Sequence, residues 1–298
     1  MSAEHVHPED LTGWTTAIES ALPGIDHCCV AQVLVYAKTT STQDAAWRHR
    51  PQNADTGGIV VLASIQTDGR GQRGRRWDDG QAQTLPVSFA LRTTLTDVGL
   101  AARAGLGALE ACRLHAPNPP ADIRIKWPND IVVREASGDR KLAGVLVERR
   151  DGVAVVGVGI NVSQTAEELA ARGLTQAASL GMLGGKTNRL MLAIDLIASM
   201  SRWLAADDDA VRVEWATHDA MLGTHRAFVV GGERVEGEVT ALDPLGVIHV
   251  RTEGGGVAVP VERGVVAPVR DEARSSELSS TLKKLNDRFG DDLRQLAE

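Results

Sequence analysis

Apolar and polar positions along the chain switch between two periods, and the switch points divide it into elements. The run CCVAQVLVY over residues 28–36 is β-branched and apolar, as a strand requires. Thr39-Thr40-Ser41-Thr42 then offers N-cap hydroxyls to a helix over 43–49. Residues 59–66 (IVVLASIQ) and 85–94 predict two more buried strands, with a Gly/Arg segment at 68–77 between them. An Ala/Leu-rich stretch over 99–115 predicts a helix, closed by a Pro-rich loop at 117–120. Residues 123–126 and 131–134 flank a tight Trp-Pro-Asn-Asp turn, where Pro sets φ and Asn and Asp tolerate turn geometry. Residues 141–149 and 153–162 form a hairpin, because Arg150-Asp151-Gly152 supplies the positive φ of a tight reversal. Helices over 166–173, 188–205 and 209–222 follow, and a short polar helix over 12–22 precedes the first strand.

After Gly223 the texture changes. RAFVV, EGEVTAL, VIHVRT and VAVPV are separated by Gly-Gly, Asp-Pro-Leu-Gly and Glu-Gly-Gly-Gly, which predicts a small barrel of about 45 residues. A boundary near Leu222 therefore divides the chain into an acidic helical segment (1–27), a main domain (28–222), the small barrel (223–270) and a C-terminal helix (271–298). In that last segment Leu278, Leu282, Leu285, Phe289, Leu293 and Leu296 share one face of an amphipathic helix. Docking on its own chain suits it better than pairing with a second chain, since about three heptads is short for a coiled coil.

Composition narrows the function classes. The 298 residues are 43% apolar and 24% charged, enough for a soluble globular protein with a real core. Lys plus Arg is 32 against 39 for Asp plus Glu, a net charge of −7, so a globally basic nucleic-acid or membrane-surface binder is disfavoured and any cationic site is local. No apolar window is long enough for a transmembrane helix. Residues 1–37 hold no Lys or Arg but several acids, unlike a secretory or transit peptide, so the expected location is the cytoplasm. Cys28, Cys29 and Cys112 form no C-x-x-C and read as three buried thiols in a reducing compartment.

The densest chemical signal is Gly69-Arg70-Gly71-Gln72-Arg73-Gly74-Arg75-Arg76-Trp77. Glycines let the backbone approach a ligand closely, and the arginines compensate phosphate or carboxylate charge, although an exposed Gly-rich hairpin would share the pattern. The segment also matches G-x-G-x-x-G, but Trp77-Asp78-Asp79-Gly80 and Pro86 leave no room for the crossover helix that a dinucleotide fold needs there. Gly181 to Thr187 fails as a phosphate loop because Gly181 and Gly185 enclose one residue too few, and it reads as a connection between helices. H-E-x-x-H, G-x-S-x-G and EF-hand patterns do not occur, so no resident metal site is expected. Lys126-Trp127-Pro128-Asn129-Asp130 puts a cation, a flat indole, a rigid turn and a carboxylate together; alone it could equally be a turn whose Trp caps the core.

These motifs do not stand alone. Ser41-Thr42-Gln43-Asp44, the Gly/Arg segment, Lys126 to Asp130, Lys141-Leu142-Ala143-Gly144-Val145-Leu146-Val147-Glu148 and Val156-Gly157-Val158-Gly159-Ile160-Asn161-Val162 occur in an order that resembles the biotin protein ligase family. The resemblance spans residues 38–162, and the later helices and barrel also fit it. It implies an α+β fold: a mixed sheet with flanking helices, of the class II synthetase/biotin–lipoate ligase type, followed by a small SH3-like β-barrel. It implies activation of biotin by ATP to biotinoyl-5′-AMP, then acylation of one lysine on the biotin carboxyl carrier domain of a carboxylase. Lys141, Arg70 and Asp130 are the implied catalytic residues, Asp130 either helping to deprotonate the acceptor lysine or only pinning its turn. Ser41, Thr42, Gln66, Gly69, Arg70, Gly71, Trp127, Lys141 and Gly144 are implied on the biotin side. Arg73, Arg75, Trp77, Asn129, Lys141 and Asn161 are implied on the ATP and adenylate side, with Mg²⁺ arriving on ATP. The partner implied is the carrier domain, with no nucleic acid and no membrane, and the chain acting as a monomer or homodimer. A lipoate or octanoate ligase of the related fold and a non-catalytic biotin-binding module are the alternatives.

Two departures matter. About 27 residues before the first strand are too few for the winged-helix domain of repressor relatives, and no operator binding is expected. The family loop usually reads G-R-G-R, whereas Gln72 holds the fourth place here, and a neutral amide binds phosphate more weakly than a guanidinium. We expect the loop to retain the adenylate less firmly, so that added bystander protein acquires more biotin from this chain than from its Gln72→Arg variant. Equal labelling would refute the idea.

Overall fold

The computed structural model describes residues 11–267 except 12, 54–56, 75, 79–81, 118–120 and 262–264. The C-terminal helix expected over 271–298 lies outside them. Fourteen strands and six α-helices are described: α1 (Trp14–Ala21), β1 (Val30–Thr39), α2 (Thr42–His49), β2 (Gly58–Gln66), β3 (Gly69–Arg70), β4 (Arg76–Trp77), β5 (Thr84–Arg92), α3 (Asp97–Leu114), β6 (Ile123–Lys126), β7 (Asp130–Glu135), β8 (Gly138–Arg150), β9 (Val153–Asn161), α4 (Ala166–Ala171), α5 (Arg189–Ala205), α6 (Asp208–His218), β10 (His225–Val230), β11 (Glu233–Leu242), β12 (Val247–Thr252), β13 (Gly255–Pro260) and β14 (Val265–Ala267). Seven strands form a mixed sheet in the order β1-β2-β5-β9-β8-β7-β6. The pair β1–β2, joined through α2, is parallel, and the other neighbours are antiparallel.

Strand alternation decides what each face of this sheet meets. Val60 and Leu62 of β2, Val87 and Phe89 of β5, and Val156 and Val158 of β9 join one core with α1, α3 and α5. The intervening residues Ile59, Val61, Ala90, Val153 and Val155 face the other way, under Ala45, Ala46 and Trp47 of α2. Ser41 caps α2, its hydroxyl accepting from the Gln43 N–H at 3.2 Å. The β8–β9 hairpin turns through Asp151 at φ 52° and Gly152 at φ 74°, the double positive φ of a tight reversal.

Strands β10 to β14 form a five-stranded antiparallel sheet in the order β13-β12-β11-β10-β14. Its buried Phe228, Val239, Ile248 and Val250 belong to the same core as the main sheet, and the Phe228 ring lies 6.3 Å from that of Trp127. The sequence pattern did not mark β14.

Three other expectations need correction. The helix expected over 209–222 ends at His218, because the Asp219 carboxylate accepts from the Met221 and Leu222 N–H groups and turns the chain, while Ala220 N–H donates to the Ile125 carbonyl at 2.8 Å. That turn buries Ala220 and Met221. The N-terminal helix is not simply polar, since Trp14 and Ile18 of α1 are core residues. Of the thiols only Cys112 is buried, its pKa pushed up to about 12 by burial; Cys28 and Cys29 are partly exposed.

Because Phe228 is fully buried and packs on Trp127, Phe228→Ala should cost about 3–5 kcal/mol. Thermal unfolding should remain one transition at a lower temperature; two separate transitions would show that the sheets unfold independently.

Candidate active site

On the α2 side of the main sheet, the face beyond the helix is open, and a cavity of about 370 Å³ occupies it. On β9 the residues facing it after Val153 and Val155 are Gly157, Gly159 and Asn161, so the strand changes from a packed surface to a bare one. The N-terminus of α2 closes one end, and the β3–β4 hairpin, carrying the Gly/Arg segment, arches over it. That segment opens no crossover helix: residues 72–74 make a single 3-10 turn between the two short strands.

At the α2 end the polar groups are linked. Thr42 donates through its N–H and its hydroxyl to Gln66 Oε1, at 2.8 and 3.1 Å, and Ser88 donates to the Thr42 hydroxyl at 2.8 Å. Gln43, only 3% exposed, lines the cavity with neither its amide oxygen nor its nitrogen hydrogen-bonded in the protein. Sequence reasoning missed Ser88, which sits in a predicted buried strand with no motif around it, and quoted Gln43 only as part of a motif.

Arg70 is held between two carboxylates, 3.0 Å from Asp44 Oδ1 and 3.1 Å from Glu148 Oε2. Glu148 is itself fixed by the Trp47 indole N–H, which donates to the same oxygen at 2.8 Å. Lys141 Nζ lies 2.5 Å from Asp130 Oδ1 and 5.8 Å from the centre of the Trp77 ring. The Lys141 backbone is clamped as well: its N–H donates to Gln176 O at 2.7 Å, and its carbonyl accepts from Ala178 N–H at 2.8 Å. Beside this pair, Lys126 has a lowered pKa, because burial and the nearby Arg226 disfavour its charge more than Asp139 and Asp130 support it.

Ser41, Thr42, Gln66, Arg70 and Gly71 thus line one cavity with Trp77, Asp130, Lys141 and Gly144. Trp127, 4% exposed, is both a cavity wall and a core residue, so the two readings of its turn hold together; the Trp127–Pro128 peptide is cis. Asn129 and Asn161 reach the cavity, but their amides are occupied by the fold. Asn129 donates to Val145 O, while Asn161 donates to Ala178 O at 2.9 Å and accepts from Gln164 at 3.1 Å. Gly69 does not line the cavity; a Cβ there would lie 2.6 Å from Trp77 O, so this glycine lets the hairpin strands meet. Arg75 lies outside the described residues, and of Arg73 only the backbone is described, in the 3-10 turn.

The hairpin is also tied to the segment after β9. Gln83 donates to Glu168 at 2.8 Å, and Arg172 donates to Gln83 at 3.2 Å and lies 3.4 Å from Asp78. Among the described residues no group of three or more His, Cys, Asp or Glu could hold a metal. No described helix is long and apolar enough to cross a membrane.

Chemically, the cavity joins an enclosed polar end with an unsatisfied amide, two fixed cations and an aromatic wall. That suits a ligand with a polar ring and an anionic group. The model of the biotin/lipoate A/B protein ligase family matches residues 35–164. The chain is 31% identical over 246 residues to a biotin–[acetyl-CoA-carboxylase] ligase of Mycobacterium tuberculosis, across 80% of this chain and 90% of the relative. It is 29% identical to the Paracoccus denitrificans protein of the same name, across 75% of this chain and 96% of that one. The fold resembles the biotin protein ligase of Aquifex aeolicus solved in complex with biotin and ATP, with a TM-score of 0.66 at 23% identity, over 80% of this chain and 99% of that one. Its motifs, its fold and its likeness to these ligases over most of its length show that the chain belongs to the biotin protein ligase family.

Proposed function

We propose that this chain is an ATP-dependent ligase that joins biotin to a lysine of a biotin carboxyl carrier domain through biotinoyl-5′-AMP. The observation that carries the reading is the meeting, in one cavity, of the fixed cations Arg70 and Lys141 with the buried, unpartnered amide of Gln43. A carboxylate is a poor electrophile, so biotin must first attack the α-phosphorus of ATP. That step forms a carboxyl O–P bond and breaks the bond to pyrophosphate, and negative charge builds on both groups. Cations already held in place stabilise that charge without reorganising. Lys141 is read as the residue facing the biotin carboxylate and the α-phosphate, and Arg70, oriented by Asp44 and Glu148, as its counterpart on the hairpin. Arg73, Arg75 and Trp77 are assigned to the nucleotide.

In the second step the acceptor lysine attacks the acyl carbon, a C–N bond forms and AMP leaves. An exposed lysine is protonated at neutral pH and must lose a proton first. Asp130 is the proposed acceptor of that proton; as Lys141 turns from Asp130 toward the phosphate, the carboxylate is released for this task. Magnesium is read as arriving on the phosphates of ATP, since among the described residues no group of three or more His, Cys, Asp or Glu could hold it. Residues 28–222 are taken as the catalytic domain and the sheet from residue 223 as an SH3-like barrel.

Gln43 favours biotin over lipoate. Leaving a buried amide unpaired costs about 1–3 kcal/mol. A ureido ring offers both N–H and C=O to it, while a dithiolane offers neither. Biotin should therefore raise the melting temperature in a thermal-shift titration and lipoate should not.

Incubation of the chain with biotin, ATP, Mg²⁺ and a carrier domain should release pyrophosphate and add one biotinyl mass to one lysine. Absence of both would overturn the ligase reading. Lys141→Ala should slow adenylation roughly 10²- to 10³-fold, about 2.7–4 kcal/mol, with the fold intact. Glu148→Gln, which loosens Arg70, should slow it roughly tenfold.

A further inference from the structure

The cavity floor has an unexplained feature in β9. The strand is mostly β-branched, with Val153, Val155, Val156, Val158 and Ile160, yet two positions on its open face are Gly157 and Gly159. Glycine weakens a strand interior by leaving nothing to pack, and neither residue has the positive φ that would require it. The reason must lie in what approaches them.

A Cβ at position 157 would lie 2.9 Å from Gln43 Oε1 and 3.0 Å from Gln43 Cδ. One at position 159 would lie 2.5 and 2.6 Å from Cε2 and Cζ2 of the Trp77 indole. Register separates the two seats. Gly157 is opposite Ser88, in the hydrogen-bonded group of Thr42 and Gln66, whereas Gly159 is opposite Pro86 on one side and Gly144 on the other. Position 144 is bare as well; a Cβ there would be 3.5 Å from Trp77 Cζ3 and 2.9 Å from Lys141 Nζ. The indole therefore lies across glycines of two neighbouring strands. Both seated side chains keep buried polar groups without a hydrogen-bond partner in the protein, the Gln43 amide and Trp77 Nε1.

We infer that Gly157 and Gly159 are specificity-determining positioning residues, Gly157 seating Gln43 for the biotin ring and Gly159 seating Trp77 for the nucleotide. One strand thus divides the floor into two half-sites, each set by one absent methyl group. The inference rests on the ligase reading, because it assigns the two seats to that reaction's two substrates.

The test measures biotin affinity by calorimetry and the KM for ATP in adenylation, starting with the unaltered chain. Failure of that chain to bind biotin or form adenylate would strike the ligase reading itself. Given both activities, Gly157→Ala should weaken biotin binding roughly tenfold with little change in the KM for ATP, and Gly159→Ala should do the reverse. Each pair should be non-additive: Gly159→Ala should add nothing in a Trp77→Ala chain, and Gly157→Ala nothing in a Gln43→Ala chain. If Gly159→Ala alone fails to fold, the Trp77→Ala/Gly159→Ala chain should fold, since the obstructing ring is gone. Silent single variants, equal effects on both substrates, additive pairs or a misfolded double variant would each overturn the assignment.

Discussion

Among the described helices only α2 packs on the second face of the main sheet, and an eight-residue helix is only about 12 Å long. The strands continue beyond its reach with one side apolar and packed on α1, α3 and α5, and the other side lying under the β3–β4 hairpin. The cavity is the consequence of that mismatch. Where the helix lies, β9 presents Val153 and Val155; where it stops, β9 presents glycines. The helix end adds its own chemistry, since Ser41, Thr42 and Gln43 stand at its first turn. Cover, floor and polar end follow from the length of one short element.

Electrostatics follow the same economy. The chain is acidic overall at −7, yet the cavity concentrates cations, and each described reactive cation is matched by carboxylates: Arg70 by Asp44 and Glu148, Lys141 by Asp130. Such pairing orients the cationic groups before an anion arrives. At half-exposed positions the pairs contribute little to stability, so exchanging a carboxylate for a phosphate costs little.

Much of the architecture was legible in advance. The 3.6 and 2 periods, the Asp-Gly reversal and the Ser/Thr cap located most strands and helices, and the ordered motifs converged on one cavity. What escaped depended on tertiary contacts. Asp219 ends α6 through its own side chain, and no periodicity signals that. Ser88 acquires its role only because β5 lies beside β9 with Thr42 above it. Gly144, expected to let the backbone approach ligand, also has the Lys141 and Trp77 side chains close above it, a contact no local pattern announces. Asn129 and Asn161 carry polar side chains in ligand motifs, yet their amide groups tie strands and loops together. Residue type announces polarity; only packing decides whether it faces inward to the fold or outward to a ligand.

The contacts among Gln83, Glu168, Arg172 and Asp78 join the arginine hairpin to the segment that follows β9. The acyl-adenylate of the proposed reaction is a mixed anhydride, and water competes with the carrier lysine for its acyl carbon. With the two flanks of the cavity latched together, exposure of that bond to solvent becomes one event instead of two. In the proposed reaction hydrolysis of that bond wastes the ATP spent on it, so contacts remote from the reacting atoms bear on the yield of the transfer.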